Sequence, residues 1–441
     1  MNIMQSLGVR IKEARKEKEI TQTELAGSNI SRSLLSLIEN GNAKPSLTTL
    51  QYIAGRLDKP ISYFLMSSQN QQQDLDSIIS NLEHLYQNKQ YTTIITSSNA
   101  FLKENADHLD SFTKIGKLYS ILGISYSNIG NQQALFYLTK AIENLETKEE
   151  SYLSQCYYHL GTIMWDNKDY KMMKYYLSLA NNLAKNISLD NLHLKLNILY
   201  NLSLSLYNLQ EYNSVIEKIN EALDYSKKYE LYYNFGYFCM LLALTYKLKN
   251  NTDQAIIFNN KSIKYYVLSD NEYMKYTCYI NQTSLLRINK DYNESLILIE
   301  EAISYFQSIN DNAKLANAKT EKLKTLFFSQ ENSDMLANFG KKILESIVEN
   351  NECRGEVICI LGGIAIENKE YVLALTLLLE AETLLLEYEK NDMRVYLYKW
   401  LNNVYEHNND LESAYKYLLR AATLVDSNKP TYESTGVSSL E

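Results

Sequence analysis

Proline occurs three times in 441 residues, at Pro45, Pro60 and Pro430, so none lies between residues 61 and 429. The proline ring removes a backbone donor and fixes φ, and it punctuates most loop-rich and all-β chains. Its absence predicts an all-α chain of helices joined by short turns. One compact core does not grow to this length, so the chain is either several domains or a repeat array.

Other classes are excluded on composition. No run of about 18 apolar residues and no charged-then-apolar leader is present, which predicts a cytoplasmic protein without membrane association. The five cysteines (Cys156, Cys239, Cys278, Cys353, Cys359) are odd in number and lack CxxC spacing. They read as buried thiols rather than a disulfide framework or zinc site. The net charge of −8 hides an asymmetry: residues 1–66 hold nine Lys/Arg against six Asp/Glu, a balance of +3, leaving −11 for the remainder. Only the N-terminal segment suits a polyanion.

That segment carries dense helix punctuation. Leu7, Ile11 and Ala14 repeat at helical spacing beneath a basic exterior of Arg10, Lys12, Arg15, Lys16 and Lys18. Thr21 with Glu24 forms a capping box for a short second helix, and a turn over Gly27 to Ile30 follows. Ser31 caps a third helix that ends before Gly41, where a left-handed cap is expected. Leu35 and Ile38 face the core, leaving Arg32, Ser33, Ser36 and Leu37 outward, as a recognition helix requires. Pro45 precedes a fourth helix and Pro60 opens a fifth.

The string RIKEARKEKEITQTELA, SRSLLSLIENGNAKPS, LQYIAGRLDKPISYFL resembles the Cro/C1-type (XRE) helix-turn-helix family over residues 1–66. The resemblance implies that Gln22 and Asn40 touch phosphates, with Ser31 beside them, that Arg32, Ser33, Ser36 and Leu37 read bases, and that Arg15 pairs with Glu39. The turn is one residue shorter than in phage repressors, and Leu37 stands where a polar residue is usual.

Residues 67–73 (Ser-Ser-Gln-Asn-Gln-Gln-Gln, from Ser67 on) are polar and read as an interdomain linker. From 74 to 426 a unit recurs: a helix bearing Leu-Gly or a variant, a turn with Tyr near its end, then a helix ending in a small residue. Phe101, Ala141, Ala180, Ala222, Ser262, Ala302, Leu344, Ala381 and Ala421 align as anchors of nine second helices. The unit over 313–350 lacks Leu-Gly. These units resemble tetratricopeptide repeats of more than the usual ~34 residues, implying a right-handed superhelix with a concave wall of first helices. Residues 427–441 read as a disordered tail.

No Walker loop, GxSxG elbow or GxGxxG occurs, and the histidines (His84, His108, His159, His193, His407) stand singly, so no enzyme, cofactor or metal is expected. A helix-turn-helix domain before about nine such units resembles the RRNPP family of low-GC Gram-positive bacteria. That resemblance implies a cytoplasmic homodimer on a palindromic double-stranded DNA operator, controlled by a short re-imported signalling peptide. Asn197, Tyr200, Asn201, Tyr237, Asn281, Arg287 and Asn403 fall where first helices face the groove, and an asparagine amide can pair with both N–H and C=O of an extended peptide. Three alternatives stand: an XRE module that binds protein rather than DNA, repeats that hold a protein partner or only dimerise, and a phosphotransfer-modulating role.

Overall fold

The computed structural model describes residues 3–65, 68–106, 114–184, 192–347, 351–388 and 392–427. All regular structure among them is helical. The chain divides into two compact units, Met1–Asn191 and Leu192–Glu441.

The first unit opens with five helices, α1 (Ile3–Glu17), α2 (Gln22–Ala26), α3 (Arg32–Glu39), α4 (Leu47–Arg56) and α5 (Ile61–Leu65). They close over Ile11, Leu25, Leu35, Ile38, Ile53 and Phe64, each at most 1 % exposed. Three helix pairs follow: α6 (Ser68–Gln87) with α7 (Tyr91–Glu104), α8 (Ile115–Asn128) with α9 (Gln133–Asn144), and α10 (Glu150–Asp166) with α11 (Tyr170–Leu183). Helix α6 takes in Ser68 to Gln73, where the sequence suggests an irregular linker. Glutamine is a good helix former, so a run of this composition can extend the amphipathic helix behind it.

The second unit holds six pairs: α12 (Leu192–Asn208) with α13 (Tyr212–Lys228), α14 (Phe235–Leu248) with α15 (Thr252–Leu268), α16 (Glu272–Ile288) with α17 (Tyr292–Ser308), α18 (Asn312–Phe328) with α19 (Ser333–Ser346), α20 (Asn351–Glu367) with α21 (Tyr371–Leu385), and α22 (Met393–His407) with α23 (Leu411–Ser427). The tail expected over 427–441 lies outside the described residues beyond Ser427.

Within a pair, the two helices meet through a small residue. A Cβ on Gly123 would lie 2.8 Å from the Leu138 amide nitrogen, one on Gly161 2.7 Å from Leu177 Cγ, and one on Gly362 2.6 Å from Leu378 Cδ2. The Leu-Gly dipeptides therefore mark where the leucine of the second helix seats against bare backbone. On the second helix burial follows an i, i+4, i+7 pattern, as in Ala134/Leu138/Ala141, Met173/Leu177/Ala180 and Ala374/Leu378/Ala381. In α19 the same pattern is Leu336, Gly340 and Ile343. The anchor of that pair is Ile343, 1 % exposed, and Leu344 beside it is only half-buried. Here the small residue sits on the second helix, with Leu361 of α20 against Gly340.

Each pair turns on one left-handed residue: Lys89, Gly130, Lys168, Gln210, Asn250, Lys290, Gln330, Lys369 and Asn409. The next amide reaches back five residues, as Asp169 N to Met164 O (3.0 Å), Glu211 N to Leu206 O (2.9 Å) and Asp291 N to Leu286 O (2.9 Å). This closes the first helix with a Schellman motif. An aromatic pair often brackets the turn, including Trp165–Tyr170 at 5.7 Å and Tyr207–Tyr212 at 6.1 Å.

A left-handed non-glycine residue costs roughly 1 to 2 kcal/mol. Lys168→Gly should therefore raise stability by a few tenths to about 1 kcal/mol, less the entropy glycine adds to the unfolded chain. Gly123→Ala, which drives a methyl into the Leu138 backbone, should cost about 1 to 3 kcal/mol. Urea unfolding followed by helical circular dichroism checks both signs.

Candidate functional site

The outward face of α3 is built by caps at both ends. Ser31 Oγ accepts the Leu34 amide at 3.1 Å, and Gly41 stands at φ +74° with Asn42 N bonded to Leu37 O at 2.8 Å. The Thr21 box on α2 forms as well, Glu24 N to Thr21 Oγ1 at 3.2 Å and Thr21 N to Glu24 Oε2 at 2.6 Å. Between the caps Leu35 and Ile38 are sealed in the core. Arg32, Ser33 and Asn40 are exposed, Ser36 is half-buried, and Leu37 keeps 46 % of its surface in solvent. An exposed leucine on an otherwise polar face suits contact with a thymine methyl.

One buried carboxylate fixes this helix to its neighbours. Glu39 is 3 % exposed. Arg15 grips it through Nε to Oε1 at 2.7 Å and Nη2 to Oε2 at 3.0 Å, and Gln22 Nε2 donates to Oε2 at 2.8 Å. Arg15 also donates from Nη1 to Ile20 O at 3.0 Å, so α1, α2 and α3 meet at one point. Burial pushes the Glu39 carboxyl up, but the Arg15 and Gln22 hydrogen bonds and the charges of Arg15 and Lys12 outweigh it and hold it below its usual range. Gln22 thus spends one of its two amide N–H groups on Glu39. Sequence reasoning missed Gly8: a Cβ there would lie 2.2 Å from Ile38 O and 2.7 Å from Glu39 O, so only glycine lets α1 touch the end of α3.

In the second unit the sequence-derived peptide residues form two groups. On α12, Asn197 Oδ1 accepts from Asn234 Nδ2 at 2.8 Å, and Asn201 Nδ2 donates to Asn197 O at 3.0 Å. Tyr200 lies beside them with its ring 5.8 Å from that of Tyr237, and burial pushes its hydroxyl up to about 12. On α16 the Asn281 carbonyl accepts from Ser284 Oγ at 2.9 Å. Arg287 is buried and ion-paired, whereas Asn403 stands exposed on α22, apart from both groups.

Arg287 opens onto a charge network the sequence did not reveal, because its members are about 35 residues apart on successive first helices. Arg287 Nη1 meets Glu321 Oε2 at 2.5 Å, Lys324 Nζ meets Glu321 Oε1 at 2.6 Å and Glu356 Oε1 at 2.9 Å, and Lys247 Nζ reaches Asp392 Oδ2 at 3.4 Å. Lys324 is 2 % exposed. Burial drives its ammonium down, but the Glu321, Glu356 and Asp392 carboxylates raise it further. Burial likewise acts to raise Glu321 and Asp392, and the surrounding cations hold both low, while Glu356 is pushed up. No group of three His, Cys, Asp or Glu among the described residues could hold a metal ion, and no described helix is long and apolar enough to cross a membrane.

Comparison with known proteins separates the two parts of the chain. Residues 11–64 match the helix-turn-helix family model. A 58-residue stretch is 47% identical to an immunity repressor protein of Bacillus phage phi105, covering 13% of this chain and 40% of that protein. The chain thus spans less than half the length of that relative. Over 80% of the chain and 97% of the other, the fold matches apo RapI with a TM-score of 0.58 at 13% identity. It matches NprR in complex with its cognate peptide NprX over 77% and 90%, with a TM-score of 0.52 at 14% identity. At these identities the likeness is one of fold. The architecture is a helix-turn-helix domain of XRE type followed by a tetratricopeptide-like repeat fold shared with NprR and RapI.

Replacing Glu39 by Gln keeps the shape but strands the Arg15 charge, and should destabilise residues 1–65 by about 3 to 5 kcal/mol. Because the folded-state value of Glu39 is depressed, its stabilisation is present above the unfolded value near ~4.3 and is lost as pH falls through the folded one. Hydrogen exchange of α1 and α3 amides should show that acid-dependent loss in the wild type and not in E39Q.

Proposed function

We propose that this chain is a homodimeric, sequence-specific DNA-binding transcription regulator of the cytoplasm whose repeat domain senses a short signalling peptide and alters operator binding. The observation that carries the DNA half is the α3 face: Arg32, Ser33, Ser36 and Leu37 point outward from a helix locked at Glu39. Arg32 reads a base edge, where a bidentate guanidinium–guanine pair supplies discrimination. Gln22 and Asn40 grip the phosphates on either side. The helix-turn-helix family model matches this segment, residues 11–64.

A domain balance of +3 offers few phosphate contacts, so useful affinity needs two copies on a palindromic site. Helix α23 supports association: Leu411, Tyr415, Leu418 and Leu419, on one face, are 71 %, 62 %, 47 % and 48 % exposed. An exposed apolar stripe of that kind supports a partner surface there. The peptide half rests on the repeat fold shared with NprR, solved with its cognate peptide.

Arg32→Ala should lower affinity for the operator by about 1 to 3 kcal/mol and leave random duplex nearly untouched, whereas Gln22→Ala should weaken both alike. Fluorescence anisotropy with the two duplexes checks this, and equal losses for Arg32→Ala would remove it from base readout. Light scattering should give a dimer; a monomer that binds operator tightly contradicts the symmetric reading. For the switch, a peptide that changes operator affinity must have its own affinity changed by the same factor when operator is present, an expected coupling of about 1 to 3 kcal/mol. Peptide titrations with and without operator measure both sides, and peptide bound without coupling overturns the sensing role.

A further inference from the structure

The Arg287 and Asp392 end of the charge network faces a cavity of about 650 Å³ inside the second unit. Sites for small ligands measure ~300 to 1,000 Å³. The chain beyond residue 66 carries −11, yet the charged side chains of this wall are four cations, Lys247, Arg287, Lys290 and Arg394, against one carboxylate, Asp392. Two of the cations are committed to carboxylates, Arg287 to Glu321 and Lys247 to Asp392. The others are less engaged. Lys290, at the left-handed turn after α16, enters no ion pair among the described residues. Arg394 donates weakly from Nη2 to Tyr398 Oη at 3.4 Å, and its buried Nε has no hydrogen-bond partner. Ile288, Phe328 and Tyr396 give the wall an apolar part beside the amides of Gln210 and Asn250.

We propose that this cavity is the ligand site of the repeat domain and that it takes a short peptide presenting a carboxylate beside an apolar residue. The inference rests on the peptide-sensing reading and adds the ligand's charge and position; of the residues that reading singled out, only Arg287 lines the cavity. A carboxylate pairs with the Lys290 ammonium and the Arg394 guanidinium, neither of which meets a carboxylate among the described residues, in charge-assisted hydrogen bonds. A neutral ligand leaves Lys290 and Arg394 without a counter-charge, and a cationic one is repelled by both. A bare inorganic anion leaves the apolar wall wet.

The test uses the full-length protein and two libraries of synthetic random pentapeptides. One has free C-termini and all side chains; the other is amidated, with Asn and Gln in place of Asp and Glu. Retained peptides are identified by mass spectrometry and resynthesised for titration, with amidated copies to tell a C-terminal from a side-chain carboxylate. The wild type should retain members of the acidic library only, and a K290Q/R394Q double variant should bind them about tenfold more weakly with an unchanged melting temperature. Should the double variant melt early, K290E at the exposed turn should give the same loss in a folded protein. Equal retention of both libraries overturns the charge assignment alone, and undiminished affinity in the folded variants overturns the position alone. If neither library is retained, this proposal and the peptide-sensing reading fall together.

Discussion

In a repeat array most packing joins neighbouring helices, so the fold depends first on how closely two consecutive helices can approach. Here that approach is a leucine on the second helix seated against bare backbone of the first, at Gly123, Gly161 and Gly362. One pair places its glycine differently. The pair α18–α19 puts Gly340 on the second helix and takes its bulk from Leu361 of the following one.

The N-terminal domain uses a different economy. It has few residues, so a single buried ion pair does what a repeated contact does elsewhere. Removing either partner of Arg15 and Glu39 would leave a charge in the core, which is why the joint discriminates strongly between assembled and misassembled helices. Gln22 belongs to the same joint, donating to Glu39 at 2.8 Å. A group that both braces Glu39 and lies at the start of α2 ties the position of the proposed phosphate contact to the recognition helix itself.

What was legible in the sequence follows from where each signal comes from. Caps and close approaches are local chemistry, so Thr21, Ser31, Gly41 and the Leu-Gly pairs could be read off the chain, as could nine helix pairs. The one-residue slip at Leu344 arose because α19 replaces its central leucine with Gly340, which removes the apolar periodicity that marks the register. The left-handed turns were hidden because eight of the nine use Lys, Gln or Asn rather than glycine. The helix at Ser68 to Gln73 was hidden because polar residues report no face. Gly8 and the network of Arg287, Glu321, Lys324 and Glu356 depend on contacts between segments far apart in sequence, and no local pattern encodes them.

That network also bears on how binding could be felt at a distance. Charges as buried as Lys324 are expensive to desolvate, and well-packed apolar side chains usually serve stability as well or better. What apolar residues cannot do is distinguish one arrangement of partners from another. Arg287, Glu321, Lys324 and Glu356 lie on three successive first helices, α16, α18 and α20, and Asp392 stands at the start of a fourth, α22, where it faces Lys247 of α14. Glu321 and Asp392 are held charged by cations that include those of other pairs, so moving one helix changes the electrostatic environment of the rest. An anion arriving beside Asp392 competes for the same Lys247 and Arg287, and its binding energy is then partly spent on the spacing of five first helices. Coupling of this kind needs no contiguous wire, only a set of charges whose best arrangement differs with and without one more.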